Sequence, residues 1–199
     1  MPDYARSDVE IAQKACVLAG MNVINDFSQE DLTEAVVLRT VYEDIVRDAL
    51  TDGLYNFATA ERDLPSRLAT APSLKFTAGY TIPQDGTILR VQTVMVNGTI
   101  ANYDISEDTV CLDAIETDTV TLSYIKRVAE QYWPPFFALL VIYKLTAILA
   151  SSIARSATMA KAYTDLADRQ SLMSRSRDSQ QVTTQGLHLN RFKSLRRGG

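Results

Sequence analysis

Hydrophobic positions are spread unevenly along the chain, and the longest apolar run, residues 133–154 reading WPPFFALLVIYKLTAILASSIA, organises the rest. A proline pair suits the first turn of a helix, where a missing N–H costs nothing, so Pro134 or Pro135 is expected to open a helix running through Ile153. At about 100° per residue, Lys144, Ala147, Ser151 and Arg155 share one narrow polar or small-residue stripe, while Ile142, Leu145, Leu149 and Ile153 lie opposite. Lys144 stands near the middle of the run, where lipid would penalise a charge by a few kcal/mol or more. The pattern therefore predicts a deeply buried helix with one wetted edge and no membrane span.

Upstream, Ser7 followed by Glu10 forms a capping-box pattern. Val9, Ala12, Cys16 and Ala19 then recur at helical spacing until Gly20, which is suited to close the helix. Ser28 with Asp31 three positions on is read as the cap of a second helix reaching Thr51, with Leu38, Val41, Tyr42, Ile45 and Ala49 on one face. Its outer face, carrying Glu34, Glu43, Asp44, Arg47 and Asp48, is expected to face solvent or a neighbouring subunit. The segment after Gly53, LYNFATAERDL, is aromatic without a period and is expected to be a loop that packs Tyr55 and Phe57 onto the helices.

From Phe76 the texture changes to β-branched and aromatic residues, in the runs FTAGYTI, ILRVQTVMV, TIANYDI and TVTLSYIKRV. Val96-Asn97-Gly98-Thr99 signals a hairpin, because both central positions of a type I′ turn need positive φ, which Asn97 and Gly98 tolerate. After the apolar helix, Met159, Ala162, Tyr163, Leu166 and Met173 give another helical period over 156–175. The remaining residues, 176–199, are rich in Ser, Gln, Thr, Arg and Gly. That composition predicts a segment that orders only on a partner.

The expected fold class is α+β: a helical bundle core of about four helices, a central antiparallel β meander inserted between helix pairs, and an extended C-terminal tail. The corresponding division is residues 1–58 and 133–175 as one helical domain, 59–132 as a loop and β module, and 176–199 as a basic tail. Charge sharpens this division. From Arg155 onward there are nine basic and three acidic residues, so the tail end carries +6 while the body before it carries −10. Two differently charged surfaces or partners follow from that polarity.

Candidate chemistry is sparse. Cys16 and Cys111 sit far apart and are expected to be reduced and structural. The only histidine, His188, lies in the tail, away from any serine and carboxylate pair that could complete a triad. Asp63 with Glu61, and Glu107 with Asp108, read as turn and loop acids rather than an acid/base pair. Neither His nor Cys clusters at metal-ligand spacing, so no cofactor or metal is expected. Trp133 reads as a packed anchor between strand and helix. The N-terminal segment lacks a signal-peptide arrangement, so assembly in a cytoplasm is expected.

The order of these features resembles one known family, the head-to-tail adaptors of short-tailed bacteriophages, also called tail tubular protein A. The resemblance rests on IAQKACVLAGMNVINDF, on YEDIVRDALTDG followed by Tyr55-Asn56-Phe57-Ala58, and on Tyr80-Thr81-Ile82-Pro83-Gln84-Asp85 leading to Ile88-Leu89-Arg90-Val91. It continues through LSYIKRV and the helix WPPFFALLVIYKLTAILA. Two departures stand out: Tyr55 occupies the position of a Trp, and Gly86 follows Asp85 where a Cys or another larger residue is common.

The resemblance implies a non-enzymatic virion protein at the head–tail junction. It would form a homo-oligomeric ring, a dodecamer, that docks on the portal protein, extends the DNA channel and carries the tail nozzle, tail tubular protein B, with tail fibres as a further candidate partner. DNA would pass without sequence-specific binding, which suits an acidic body. Within the tail, Leu189, Phe192 and Leu195 are the expected apolar portal anchors and Arg191, Lys193, Arg196 and Arg197 the charged ones. Trp133, Pro134, Pro135, Tyr55, Phe57, Asn97 and Gly98 are the expected structural positions. Two other classes compete: a DNA-binding module that uses the basic tail, and a virion-carried hydrolase, for which no spacing nominates a carboxylate.

Overall fold

The computed structural model describes residues 7–65, 67–68 and 74–180. It is an α+β fold with four α-helices and two antiparallel sheets. Helix α1 (Asp8–Ala19) starts and stops as the sequence predicts: the Ser7 hydroxyl accepts the Glu10 N–H, and Gly20 closes the helix at φ 67°. The Glu10 side chain pairs with Lys14, so only half of the capping box forms.

Helix α2 (Thr33–Gly53) starts later than Ser28, with Leu32 as a cap that offers no side-chain bond. The reason is local competition. Gln29 accepts the backbone N–H groups of Asn25 and Asp26, and Asp26 accepts that of Ser28, so the segment forms turns of its own. Glu34 departs from the expected outer face: it is buried and accepts the backbone and side-chain N–H groups of Asn22.

The stretch after Gly53 is no plain loop. A single 3-10 turn (Asn56–Ala58) leads into β1 (Thr59–Asp63), whose Thr-Ala-Glu-Arg-Asp composition hides its strand character. It then pairs with β7 (Val120–Lys126) along its whole length, and that pairing supplies the order its propensity lacks. The remaining strands are β2 (Ala78–Thr81), β3 (Ile88–Val96), β4 (Thr99–Ile100), β5 (Tyr103–Ser106) and β6 (Thr109–Leu112).

They form two sheets, β1-β7-β3-β4 and β2-β6-β5, in place of one meander. The run TIANYDI breaks into β4 and β5, and β6 was hidden by its short TVCL stretch, all four residues of which are buried. Asn97 and Gly98 take φ 50° and 78°, the positive values expected for the β3–β4 turn. A core of Leu64, Tyr80, Ile82, Val94, Val110, Leu112 and Leu122 fills the module.

Helix α3 (Pro135–Ser152) buries ten of its residues, among them Phe136, Phe137, Leu140, Val141, Leu145 and Leu149. It alone among the described residues is long and apolar enough to cross a membrane, yet here it forms the axis of a core supplied by α1 and α2. At about 1.5 to 3 kcal/mol per fully buried large side chain, this axis is the main stabilising element of the helical unit. Its polar stripe is neither lumenal nor a link between subunits: Lys144 reaches Asp48 of α2 at 2.6 Å within the same chain.

Helix α4 (Ala157–Ser179) is capped by Ser156, whose hydroxyl accepts the Met159 N–H. It runs four residues past the expected end at Arg175 and so takes the first residues of the segment assigned to the tail. Its buried positions are Ala167, Gln170, Ser174 and Asp178, not the apolar set Met159, Ala162, Leu166 and Met173. The physical reason is what α4 meets: the carbonyl-lined start of α3, which polar side chains satisfy.

Candidate assembly surface

Three elements converge where the chain passes from β module to helical domain. Trp133 is buried and donates its indole N–H to the Val128 carbonyl at 2.7 Å, fixing the approach to α3. Pro134 then caps the helix and Pro135 begins it, with the Pro134 carbonyl accepting the N–H groups of Phe137 and Ala138. Tyr55, Phe57, Trp133, Phe136 and Phe137 pack as one aromatic cluster with centroid separations from 4.9 to 6.5 Å. Five of the residues singled out from the sequence, Tyr55, Phe57, Trp133, Pro134 and Pro135, therefore meet at one joint.

The end of α4 closes this joint. Gln170 and Ser174 both donate to the Phe136 carbonyl, at 2.9 and 3.1 Å. One turn later the Asp178 carboxylate accepts the Asn56 backbone N–H at 2.6 Å, and Arg175 pairs with Asp52 at the end of α2. A carboxylate is disfavoured at a helix C-terminus by the macrodipole, so Asp178 serves the turn at Asn56 and not its own helix. The point from which residues 181–199 depart is thereby fixed against α2 and α3. Tyr55 is fully enclosed with no hydrogen-bond partner for its hydroxyl, and burial pushes its phenol up to about 12 against the opposing pull of Arg175.

A second polar group links α2 to the strand that leads into the joint. Arg127 reaches Glu130 at 2.5 Å and Glu43 at 3.1 Å, and its guanidinium lies 5.4 Å from the Trp133 ring. Burial alone would lower Arg127, but the Glu130 and Glu43 carboxylates hold it above its ordinary value. Tyr42 donates to Glu130 at 3.2 Å, and burial, with the Glu130 charge, raises its phenol strongly. Asn97 and Gly98 lie at the far end of the sheet, where Val96 stands opposite Val120. There Asn97 donates to Asp118 and accepts from the Thr119 N–H, tying two loops together.

Two apolar surfaces remain open. Val17, Leu18, Val23, Leu139 and Ile142 line a groove of about 470 Å³ beside α1, with Glu10, Gln13 and Lys14 at its rim. On α4, Leu166, Leu172 and Met173 are exposed. Cys16 and Cys111 are both free and buried, and burial raises the Cys16 thiol. Among the described residues no group of three or more His, Cys, Asp or Glu side chains is placed to hold a metal. His188 and the expected portal anchors Leu189, Arg191, Phe192, Lys193, Leu195, Arg196 and Arg197 lie outside the described residues.

Sequence reasoning missed Gln170, Ser174 and Asp178. Their spacing of four was visible, but polar side chains at helical spacing read as a solvated face. The chain matches no protein-family model, and no curated protein matches it.

Proposed function

We propose that this protein is a structural adaptor subunit of a short-tailed phage virion, assembling as a ring at the portal vertex, extending the DNA channel and carrying the tail nozzle. The observation that carries the reading is the joint at Tyr55, Asn56, Trp133 and Phe136. Residues from two of the stretches behind the family resemblance meet there, and they hold α4 through Asp178. Such a joint has the properties of an anchor: it fixes the exit point of a basic segment while leaving that segment free to engage a partner.

The charge distribution supports the same reading. A body at −10 does not retain the phosphates of passing DNA, and a basic, Leu- and Phe-containing segment suits an acidic, cleft-bearing partner repeated around a ring. Open apolar surfaces on α1 and α4 are further evidence of contacts still to be made, since exposed apolar patches of this kind commonly mark interfaces.

The test is co-sedimentation with purified portal rings at low and high salt, for the full chain and for a chain ended after Gln180. Binding by the full chain that is weakened in the shortened one agrees with the proposal. Absence of binding at every salt concentration refutes it. Duplex-DNA affinity that falls steeply with salt, without portal binding, would favour the DNA-binding alternative.

A further inference from the structure

Helix α4 carries a flank that nothing in the chain covers. Leu166, Arg169, Met173 and Arg177 each stand one position before a buried residue: Ala167, Gln170, Ser174 and Asp178. One residue is about 100° around a helix, so the four share a flank beside the buried seam. The opposite flank faces α2, because Asp168 borders a notch with Ile45 and Arg175, one position after Ser174, pairs with Asp52. The Leu166 flank therefore turns away from α2. Leu166 is 39% and Met173 48% exposed, and neither Arg169 nor Arg177 has an ion-pair partner among the described residues.

This is the side of α4 whose period looks like a core face in the sequence, and in one chain it stays open. Charge complementarity points to what covers it. The flank holds two guanidinium groups and no carboxylate, whereas α2 carries five acidic residues against two basic ones. On the outward row of α2, Val36, Thr40 and Asp44 follow at intervals of four, all exposed, and Asp44 has no ion-pair partner among the described residues. Rows of this kind are what helices use to interlock. Within one chain the two surfaces cannot meet, since α4 turns its other flank to α2.

We propose that the Leu166, Arg169, Met173 and Arg177 flank of α4 packs on the Val36, Thr40 and Asp44 face of α2 in a second copy of this chain. The contact uses two different surfaces, so each copy keeps one of each free and copies add head to tail, the arrangement that closes into a ring when the rotation fits. The inference deepens the proposed ring and rests on it for the closure, but not for the pairwise contact.

Sedimentation velocity on the full chain, from micromolar to near-millimolar concentration, tests it. Self-association is expected, weakened at least tenfold by the double change Leu166→Asp and Met173→Asp with the thermal unfolding transition retained, because both side chains are exposed. Arg169→Glu together with Arg177→Glu should also weaken it, and adding Asp44→Arg should restore it in part. A wild-type chain that stays monomeric throughout, a double Asp variant that associates like wild type, or a failure of Asp44→Arg to restore association overturns the contact. Portal binding is read separately. A chain that binds portal without this contact refutes the contact alone, and one that self-associates through it but ignores portal refutes the adaptor reading alone.

Discussion

The Asp178 carboxylate accepts the backbone N–H of Asn56 at 2.6 Å across 122 residues of sequence, and this bond joins the last turn of α4 to the end of α2. Asp178 is 3% exposed and one of its oxygens has no partner, so the bond is all that offsets burial of that charge. Asp178→Ala would leave the Asn56 N–H without its acceptor. A loss of about 1 to 3 kcal/mol is expected in urea unfolding, with faster amide exchange confined to the last turns of α4.

Gly53 ends α2 against the ring of Tyr55. A Cβ there would stand 2.1 Å from Tyr55 Cε2, and the ring cannot retreat because Phe57, Phe136 and Phe137 surround it. Gly53→Ala should therefore destabilise by about 1 to 3 kcal/mol despite the better helix propensity of alanine, measured by thermal or urea unfolding.

Tyr55 itself holds an enclosed hydroxyl with no partner. Its raised phenol is stable as the neutral form, so its contribution is intact below the ordinary value of 10 and is lost as pH rises through about 12. Wild type should lose stability over that alkaline window, and Tyr55→Phe should lose less. At pH 7 the same change should be neutral or stabilising by up to about 1 kcal/mol, since it removes an unpaired buried group.

Lys144 and Asp48 form a pair between α3 and α2 in which Asp48 is 62% exposed at its side chain. A surface pair of this kind is worth about 0 to 1 kcal/mol. Lys144→Leu should keep stability within about 1 kcal/mol of wild type and leave portal binding and self-association unchanged. A large assembly defect in that variant would contradict the intramolecular role.

Asp85 is held well below its ordinary value, to about 2, by the Thr87 hydroxyl, the Arg62 guanidinium and the Thr87 N–H. Its contribution is present above the ordinary value near 3.8 and is lost as pH falls through about 2. An NMR titration of the Asp85 carboxyl should give a midpoint near 2 in wild type, and a clear rise toward the ordinary value in Arg62→Ala.

The helical elements were legible because their signals are local: Ser7 and Gly20 cap α1, Pro135 starts α3, and apolar periodicity marks what lies between. The Asn97-Gly98 turn was legible for the same reason. Elements whose stability comes from partners were not. Thr-Ala-Glu-Arg-Asp forms β1 only because β7 pairs with it, and α4 docks through Gln170, Ser174 and Asp178 because Phe136 and Asn56 offer backbone groups to satisfy. Tyr55, Phe57 and Trp133 were recognisable as packing residues, but their convergence depends on contacts made across most of the chain.

The most direct test of the adaptor reading is negative-stain electron microscopy of the full chain mixed with purified portal. Additional ring density stacked coaxially on the portal is predicted, sharply reduced when the chain ends after Gln180. Portal rings indistinguishable from those without the protein, under conditions where the protein is folded, would contradict it.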